Sequence, residues 1–225
     1  MKNLTPGHSC RLRLRAATLF VAVVVSLNLS ANELKFEQIF SDKGEPPSLH
    51  YLAEFSSKGT QHQLELWRDG ERRLKRRTDD SVEIYAFRKP DDSEFRLSIL
   101  DLKRHIHTRV DRTNLYRIGN FTDWFDLAHG LKHPKGVYQL VPASAPQGET
   151  KPLTACQWYD LTQQQRTTHV CWSLKKHIPM IIQAQNLEVL WRVTALDQKP
   201  VLETHFVIHD EGFVQNDANQ DIEND

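Results

Sequence analysis

The sequence predicts a mainly β (α+β) protein, built as a curved antiparallel sheet or half-open β-barrel of about 10–11 strands. Three observations predict it. Segments of alternating polar and apolar residues follow one another between residues 49 and 110. A second group of such segments runs from residue 153 to residue 209. Between the two groups lies one segment with a helical period, at about residues 120–131.

The first group reads as an antiparallel meander of short strands joined by tight turns. Asp69-Gly70 is a hairpin signal, and the segment around Pro90 turns the chain again. Period-two spacing places one apolar set on the inner face of these strands. That set includes Leu64, Leu66, Ile84, Phe95, Leu97 and Ile99.

The inserted helix carries an aromatic stripe and signals at both ends. Thr122 is the expected N-cap, and Gly130 with Pro134 ends the helix. Such a stripe needs a concave apolar surface to pack on. Helical spacing places the following residues on that face: Phe121, Trp124, Phe125, Ala128 and Leu131.

The second group predicts five more strands, at residues 154–161, 167–174, 179–185, 188–196 and 201–209. Along the last two, Val189 and Trp191 and then Phe206 occupy the inner positions. A turn centred between Gln163 and Gln164 places Cys156 opposite Cys171, within reach of a disulfide.

The start of the chain has the pattern of a secretory signal. A basic stretch with Arg11, Arg13 and Arg15 precedes an apolar run at residues 16–29, and Ala31 is a small residue at the cleavage position. That run is shorter than the roughly 20 residues of a membrane span, although an N-terminal anchor remains the alternative. We therefore expect a signal peptide at 1–31, a single β-rich domain at 32–208 and a periplasmic location.

The C-terminal segment, residues 209–225, holds six acidic residues and no lysine or arginine. Its low content of apolar residues predicts a mostly disordered tail. The whole chain is neutral, with 29 basic and 29 acidic residues, so it lacks the charge excess typical of nucleic-acid binding.

Signals for catalysis are missing from the sequence. It has no nucleophile elbow, phosphate loop or dinucleotide fingerprint. His105 and His107 share a strand face, but the further ligands of a zinc site cannot be identified from spacing. The sequence therefore predicts no enzyme, no catalytic residues, no cofactor and no metal.

A basic run surrounds the Asp69-Gly70 turn. In it, Arg72, Arg73 and Arg76 form a candidate contact for anionic headgroups or an acidic partner, the alternative being an ordinary solvated hairpin.

Residues 62–76, with a strand that ends in a small turn and returns with basic residues, resemble a hairpin of the periplasmic lipoprotein-carrier superfamily. Cys171-Trp172-Ser173 and the following segment at 178–182 resemble its later strands. This superfamily includes the LolA- and LolB-type carriers and the RseB-type stress sensors. The resemblance implies a half-open barrel whose apolar cavity binds lipoprotein acyl chains or senses lipid.

The leading hypothesis is thus a non-enzymatic periplasmic protein that binds a lipid, lipoprotein acyl chain or other apolar ligand. An envelope interaction or sensor module acting through the basic hairpin and acidic tail is the first alternative, and a small secreted enzyme or metal-binding protein is the second. If the inner face is reversed, Trp67, Tyr85 and Phe87 become the lining. Otherwise the expected ligand-binding residues are Trp124, Phe125, Ala128, Leu131, Leu66, Ile84, Leu97 and Trp191.

Overall fold

The alternating segments form one twelve-stranded sheet in the computed structural model, which describes residues 34–70, 72–89, 92, 94–117, 123–147 and 151–223. From edge to edge the order is β12-β6-β5-β4-β3-β2-β1-β11-β10-β9-β8-β7, so the sheet is not closed into a barrel. The prediction of a mainly β, curved antiparallel sheet is confirmed. The strands are β1 (Ser48–Ser57), β2 (Thr60–Asp69), β3 (Arg73–Thr78), β4 (Val82–Arg88), β5 (Phe95–Asp101), β6 (Ile106–Asp111), β7 (Tyr138–Ala143), β8 (Gln157–Gln163), β9 (Arg166–Ser173), β10 (Ile178–Ala184), β11 (Val189–Asp197) and β12 (Val214–Asp217).

Among the described residues, helices are few and short. The inserted helix is present as α3 (Trp124–His129), after α1 (Phe36–Ile39) and α2 (Arg112–Arg117) and before α4 (Ala218–Glu223). In the described part of the chain, none of these helices has the length and apolar character needed to cross a membrane.

Hairpins join most neighbouring strands, and the two predicted groups meet where β1 pairs with β11. There Phe55 lies opposite Trp191, far away along the chain. The sequence could not predict this pairing, because local alternation carries no information about partners distant in sequence.

The inner face of the sheet packs against α1 and α3 through two hydrophobic clusters. One contains Leu64, Leu66 and Trp191 together with Leu131. The other contains Leu97 beneath the Trp124 ring. The inner face therefore has the parity expected from the alternation of β2 and β5.

The C-terminal segment differs from the sequence expectation in two ways. Residues 201–209 were predicted as a strand, but they contain a 3₁₀ turn at Glu203–Phe206 instead. This turn lies on the outer face of the sheet, where His205 stacks on Trp67 at 5.2 Å between ring centroids. Phe206, expected on the inner face, instead packs on the outer face, 4.6 Å from the Arg73 guanidinium, and is 6% exposed. The alternating apolar residues of this segment are thus buried without forming a strand.

The acidic segment expected to be disordered includes β12, which pairs in parallel with β6. A hydrogen bond of 2.6 Å between His107 Nδ1 and Asp210 Oδ2 holds its start, because β6 supplies polar partners at the edge of the sheet. The composition of the segment does not reveal these partners, which lie about a hundred residues earlier in the chain.

The Cys156–Cys171 disulfide is confirmed, with Cα atoms 5.4 Å apart. The predicted register between β8 and β9 is wrong by two residues: Trp158, not Cys156, lies opposite Cys171. The reason is the turn, which consists of Gln164 and Gln165, both with positive φ (49° and 62°). Two such residues form the tight hairpin loop whose twist matches antiparallel strands. Cys156 precedes β8 and reaches Cys171 diagonally.

Candidate functional site

Helix α3 is anchored at both ends. The Asp123 side chain, and not the predicted Thr122, caps its start by accepting a hydrogen bond of 2.7 Å from the Asp126 amide. Phe121 and Thr122 lie outside the described residues. At the other end Gly130 adopts a left-handed conformation (φ 68°), and a Cβ there would approach the Trp191 ring to 2.8 Å. Glycine thus lets β11 pack closely against the end of the helix.

The helix fills the space beneath it. Trp124 is 6% exposed and packs edge-on against Phe95 at 5.9 Å between centroids, with the Arg88 guanidinium 4.3 Å from its own ring centroid. The sequence left open whether this stripe faces a cavity or a filled core, and the structure shows a filled core at this end. Six of the eight expected ligand-binding residues are buried: Trp124, Ala128, Leu131, Leu66, Leu97 and Trp191.

The other two, Ile84 and Phe125, are half-buried, and Ile84 belongs to a different part of the inner face. Strand register aligns inner side chains of β3, β4, β5 and β6 in rows across the sheet. We call the row next to α3 the covered row: Leu74, Ala86, Leu97 and Val110, each at most 5% exposed.

The next two rows are only half-buried. We call the first the open row: Arg76, Ile84, Ile99 and Thr108. We call the second the rim row: Thr78, Val82, Asp101 and Ile106. Three strand spacings of about 4.8 Å make this floor about 14 Å wide. It is a concave surface with four apolar and four polar or charged side chains. α3 meets it only along the open row, where Ile84 and Ile99 pack against the cluster beneath the helix.

Arg76 lies at the boundary between the covered and open parts of the inner face. Its Nη1 is 3.5 Å from the Leu127 carbonyl oxygen, and its Nε is buried without a hydrogen bond to any described residue. Burial lowers the pKa of this guanidinium. Burial also raises the pKa of the nearby Tyr51 hydroxyl to about 12, so that Tyr51 is uncharged at neutral pH and supplies no counter-ion.

The basic hairpin does not form the single surface expected from the sequence. Arg72 is exposed, with 57% of its side chain accessible, whereas Arg73 forms ion pairs with Asp69 and Glu203. Arg76 is on the opposite face of β3 from Arg73, because residues three apart on a strand point to opposite faces. The expected contact residues are therefore separated, and Arg73 already has partners within the chain.

A buried polar cluster, which the sequence reading missed, ties α3 to β2 and to the loop before β1. Arg68 Nη1 lies 2.9 Å from Glu45 Oε2 and 3.1 Å from His129 Nε2. Because His129 Nδ1 lies 2.9 Å from the Phe125 carbonyl, which can only accept, Nδ1 carries the proton. Burial lowers the pKa of His129, and its Nε2 lies 3.1 Å from both Arg68 Nη1 and Glu45 Oε2. The sequence does contain a signal for this cluster: Arg68 lies two residues after Leu66 on β2, so strand alternation places it on the inner face.

Asp123, Asp126 and His133 are the metal-ligating group found among the described residues, with ligand atoms within 4.8 Å of one another. His133 Nδ1 lies 3.1 Å from Asp123 Oδ2 and 3.2 Å from Asp126 Oδ1. Hydrogen bonds to these carboxylates raise the pKa of His133 to about 10. The ring is therefore a cation at neutral pH, and the group forms an ion pair that closes the loop after α3.

A groove of about 610 Å³ opens near Trp124, at the far end of β4 and β5. Phe95 and Phe87 line it, but most of its other lining residues are charged. These are Arg88, Lys89, Asp92, Glu94, Arg96 and Asp111. Of the eight side chains in the open and rim rows, only Arg76 and Asp101 are charged, which makes these rows the less charged surface for an acyl chain.

Comparisons with known proteins give little further guidance. No family model matches the chain, and no curated protein matches it. Two solved structures of PNGF-II are similar at 9% sequence identity, with TM-scores of 0.36 and 0.37. Each match covers 78% of this chain and 32% of that chain, so the chain spans about a third of PNGF-II. At these TM-scores the likeness carries no functional argument.

Proposed function

We propose that this chain is a non-enzymatic, exported protein of the periplasm that binds a lipid, a lipoprotein acyl chain or a similar apolar molecule. The ligand lies on the concave inner face, against the open and rim rows. The observation that carries this proposal is the change in burial from the covered row, at most 5% exposed, to the half-buried residues beside it.

The energetics favour an extended apolar ligand. Each methylene removed from water contributes about 0.8 kcal/mol, so half a dozen buried on this floor contribute about 5 kcal/mol. Ile84 and Ile99 pack against the cluster beneath α3 while keeping part of their surface accessible, and they are the central contacts. Val82 and Ile106 extend the apolar floor towards the rim.

The sensor alternative has less support from the described contacts. Arg73 of the basic hairpin is paired with the chain's own Glu203, and Asp210 of the acidic segment is paired with the chain's own His107. Both features meet partners within the molecule, so neither needs an envelope protein to explain it.

The test is native mass spectrometry of protein exported to the periplasm, with Ile84→Asp as the variant. We expect lipid to co-purify with the unmodified protein and to be lost from I84D, because the carboxylate would lie under the acyl chain. Leu52→Asp is the matched control, since Leu52 is 39% exposed on the outer face of β1. Clean apo masses together with no binding of added fatty acid would contradict the proposal, as would equal lipid loss from L52D.

A further inference from the structure

The cations on and beside β3 differ sharply in their counter-ions. Arg73 pairs with Asp69 and Glu203, and Arg77 Nη2 lies 2.8 Å from Asp80 Oδ1. On the outer face Lys75 Nζ lies 2.9 Å from Glu83 Oε1. Arg76 points inward and has no carboxylate within ion-pair distance among the residues that the structure describes.

Burying a guanidinium without an anion is unfavourable, because the charge loses its hydration and gains no Coulomb partner. The contact with the Leu127 carbonyl oxygen is long, at 3.5 Å, and leaves the buried Nε without an acceptor. Tyr51 remains a neutral hydroxyl and its own oxygen lies 3.5 Å from the Ala128 carbonyl. Neither group neutralises Arg76.

The position of Arg76 relates this charge to the apolar floor. Along the open row, Arg76 lies directly opposite Ile84 on the neighbouring strand, and Ile84 lies opposite Ile99. A cation at one end of a half-buried apolar row is complementary to a molecule that carries an anionic group at one end of an apolar chain. Planar guanidinium matches carboxylate and phosphate oxygens with paired N–H donors.

We propose that the ligand is an amphipathic anion, whose carboxylate or phosphate binds Arg76 while its chain lies along the open and rim rows. This inference rests on the proposed apolar-ligand function and names the class of ligand. The anionic group supplies the counter-ion that Arg76 lacks at the boundary beneath the end of α3.

Binding of three ligands of equal chain length tests it: dodecanoate, dodecyl phosphate and the uncharged methyl dodecanoate. We expect the unmodified protein to bind at least one anion at least tenfold more tightly than the ester. Arg76→Met should abolish that preference while leaving ester binding within about twofold. The anion that binds more tightly distinguishes a fatty-acid source from a phospholipid-headgroup source.

Arg72→Met is the matched control, because Arg72 belongs to the same hairpin but is exposed and outside the inner face. It should retain the full preference. A thermal melt accompanies the binding: R76M should melt at or above the temperature of the unmodified protein, because the variant no longer buries an unpaired charge.

The outcomes separate the two proposals. If neither anion nor ester binds the unmodified protein, the apolar-ligand function itself is wrong. If the ester binds as tightly as the anions, or if R76M keeps the preference, the function stands and the role of Arg76 is overturned. A large loss of thermal stability in R76M would also overturn it, because Arg76 would then already have stabilising partners in the protein without ligand.

Discussion

The two rows of side chains on β3–β6 lie only about 7 Å apart, yet they differ in composition and burial. The covered row is entirely apolar and at most 5% exposed. The open row has Ile84 and Ile99 in its middle but Arg76 and Thr108 at its ends, and all four are half-buried. The same strands therefore provide both a core and an accessible surface.

The length of α3 explains where one row gives way to the other. Six residues form a helix about 9 Å long, which together with Leu115 of α2 covers the covered row but not the whole inner face. Polar side chains enter the inner positions at the point where the helix ends. The covered part should therefore determine stability, and the open part should determine binding.

The largest expected effect comes from removing the Trp124 ring, which packs α3 against the covered row. Trp124→Ala should lower the free energy of unfolding by about 3–5 kcal/mol, because a buried ring would leave a cavity against Phe95. Urea denaturation measures the loss. Under conditions where the variant is folded, its affinity for an apolar ligand should stay within about twofold. A binding defect much larger than this would place Trp124 at the ligand and remove the distinction between the two parts.

The second prediction concerns the disulfide, which lies in the other hydrophobic cluster, where Cys171 is fully buried. Replacing both Cys156 and Cys171 by alanine should cost about 3 kcal/mol, the usual value for a closed loop of this length. Comparison of urea midpoints for oxidised, reduced and C156A/C171A protein measures it, and ligand affinity should not change. Equal midpoints for oxidised and reduced protein would contradict the structural role.

Local patterns in the sequence predicted most of the elements but not their partners. Alternation marked the strands, and the aromatic stripe with Gly130 located α3, because these signals depend on residues close together in the chain. The pairing of β1 with β11 and of β12 with β6 depends on contacts across the whole chain. No local pattern encodes that information.

The candidate site shows the same division. Its inner-face residues could be assigned by parity, and Ile84 was among them. The half-buried state of Ile84 and the burial of Leu97 depend on where α3 lies over the sheet, which local sequence patterns do not specify. Arg76 was assigned to the surface because it lies in a basic run, although its parity with Leu74 already placed it inside.

The third prediction concerns the open row. The double variant Ile84→Ala and Ile99→Ala should weaken binding of an acyl ligand about tenfold, equivalent to about 1.4 kcal/mol, because several ligand-contacting carbons are removed. Its loss of unfolding free energy should be smaller than that of W124A, since both side chains are only half-buried. Leu52→Ala on the outer face is the control. Unchanged affinity in the double variant would show that the ligand binds elsewhere.

The smallest expected effect is on the pH dependence of stability and concerns two histidines: His129, buried in α3, and His133, in the loop that follows it. Burial lowers the pKa of His129 in the folded protein. Its contribution to the free energy of unfolding is therefore complete above about pH 6.5, the pKa of an unfolded histidine, and is lost as the pH falls through the lower pKa of the folded state. The pKa of His133 is raised to about 10, so its contribution is complete below about pH 6.5 and is lost as the pH rises towards 10.

For His133→Asn we therefore expect a deficit relative to the unmodified protein of about 1 kcal/mol at pH 6, reduced from the full shift because the ring is 31% exposed. The deficit should shrink as the pH rises and disappear near pH 10. Urea midpoints of both proteins at pH 6, 8 and 10 measure it. A deficit that stays constant across this range would mean that His133 contributes packing against Phe36 and Phe125 and not its charge. The ion pair with Asp123 and Asp126 would then have no part in holding α3 in place.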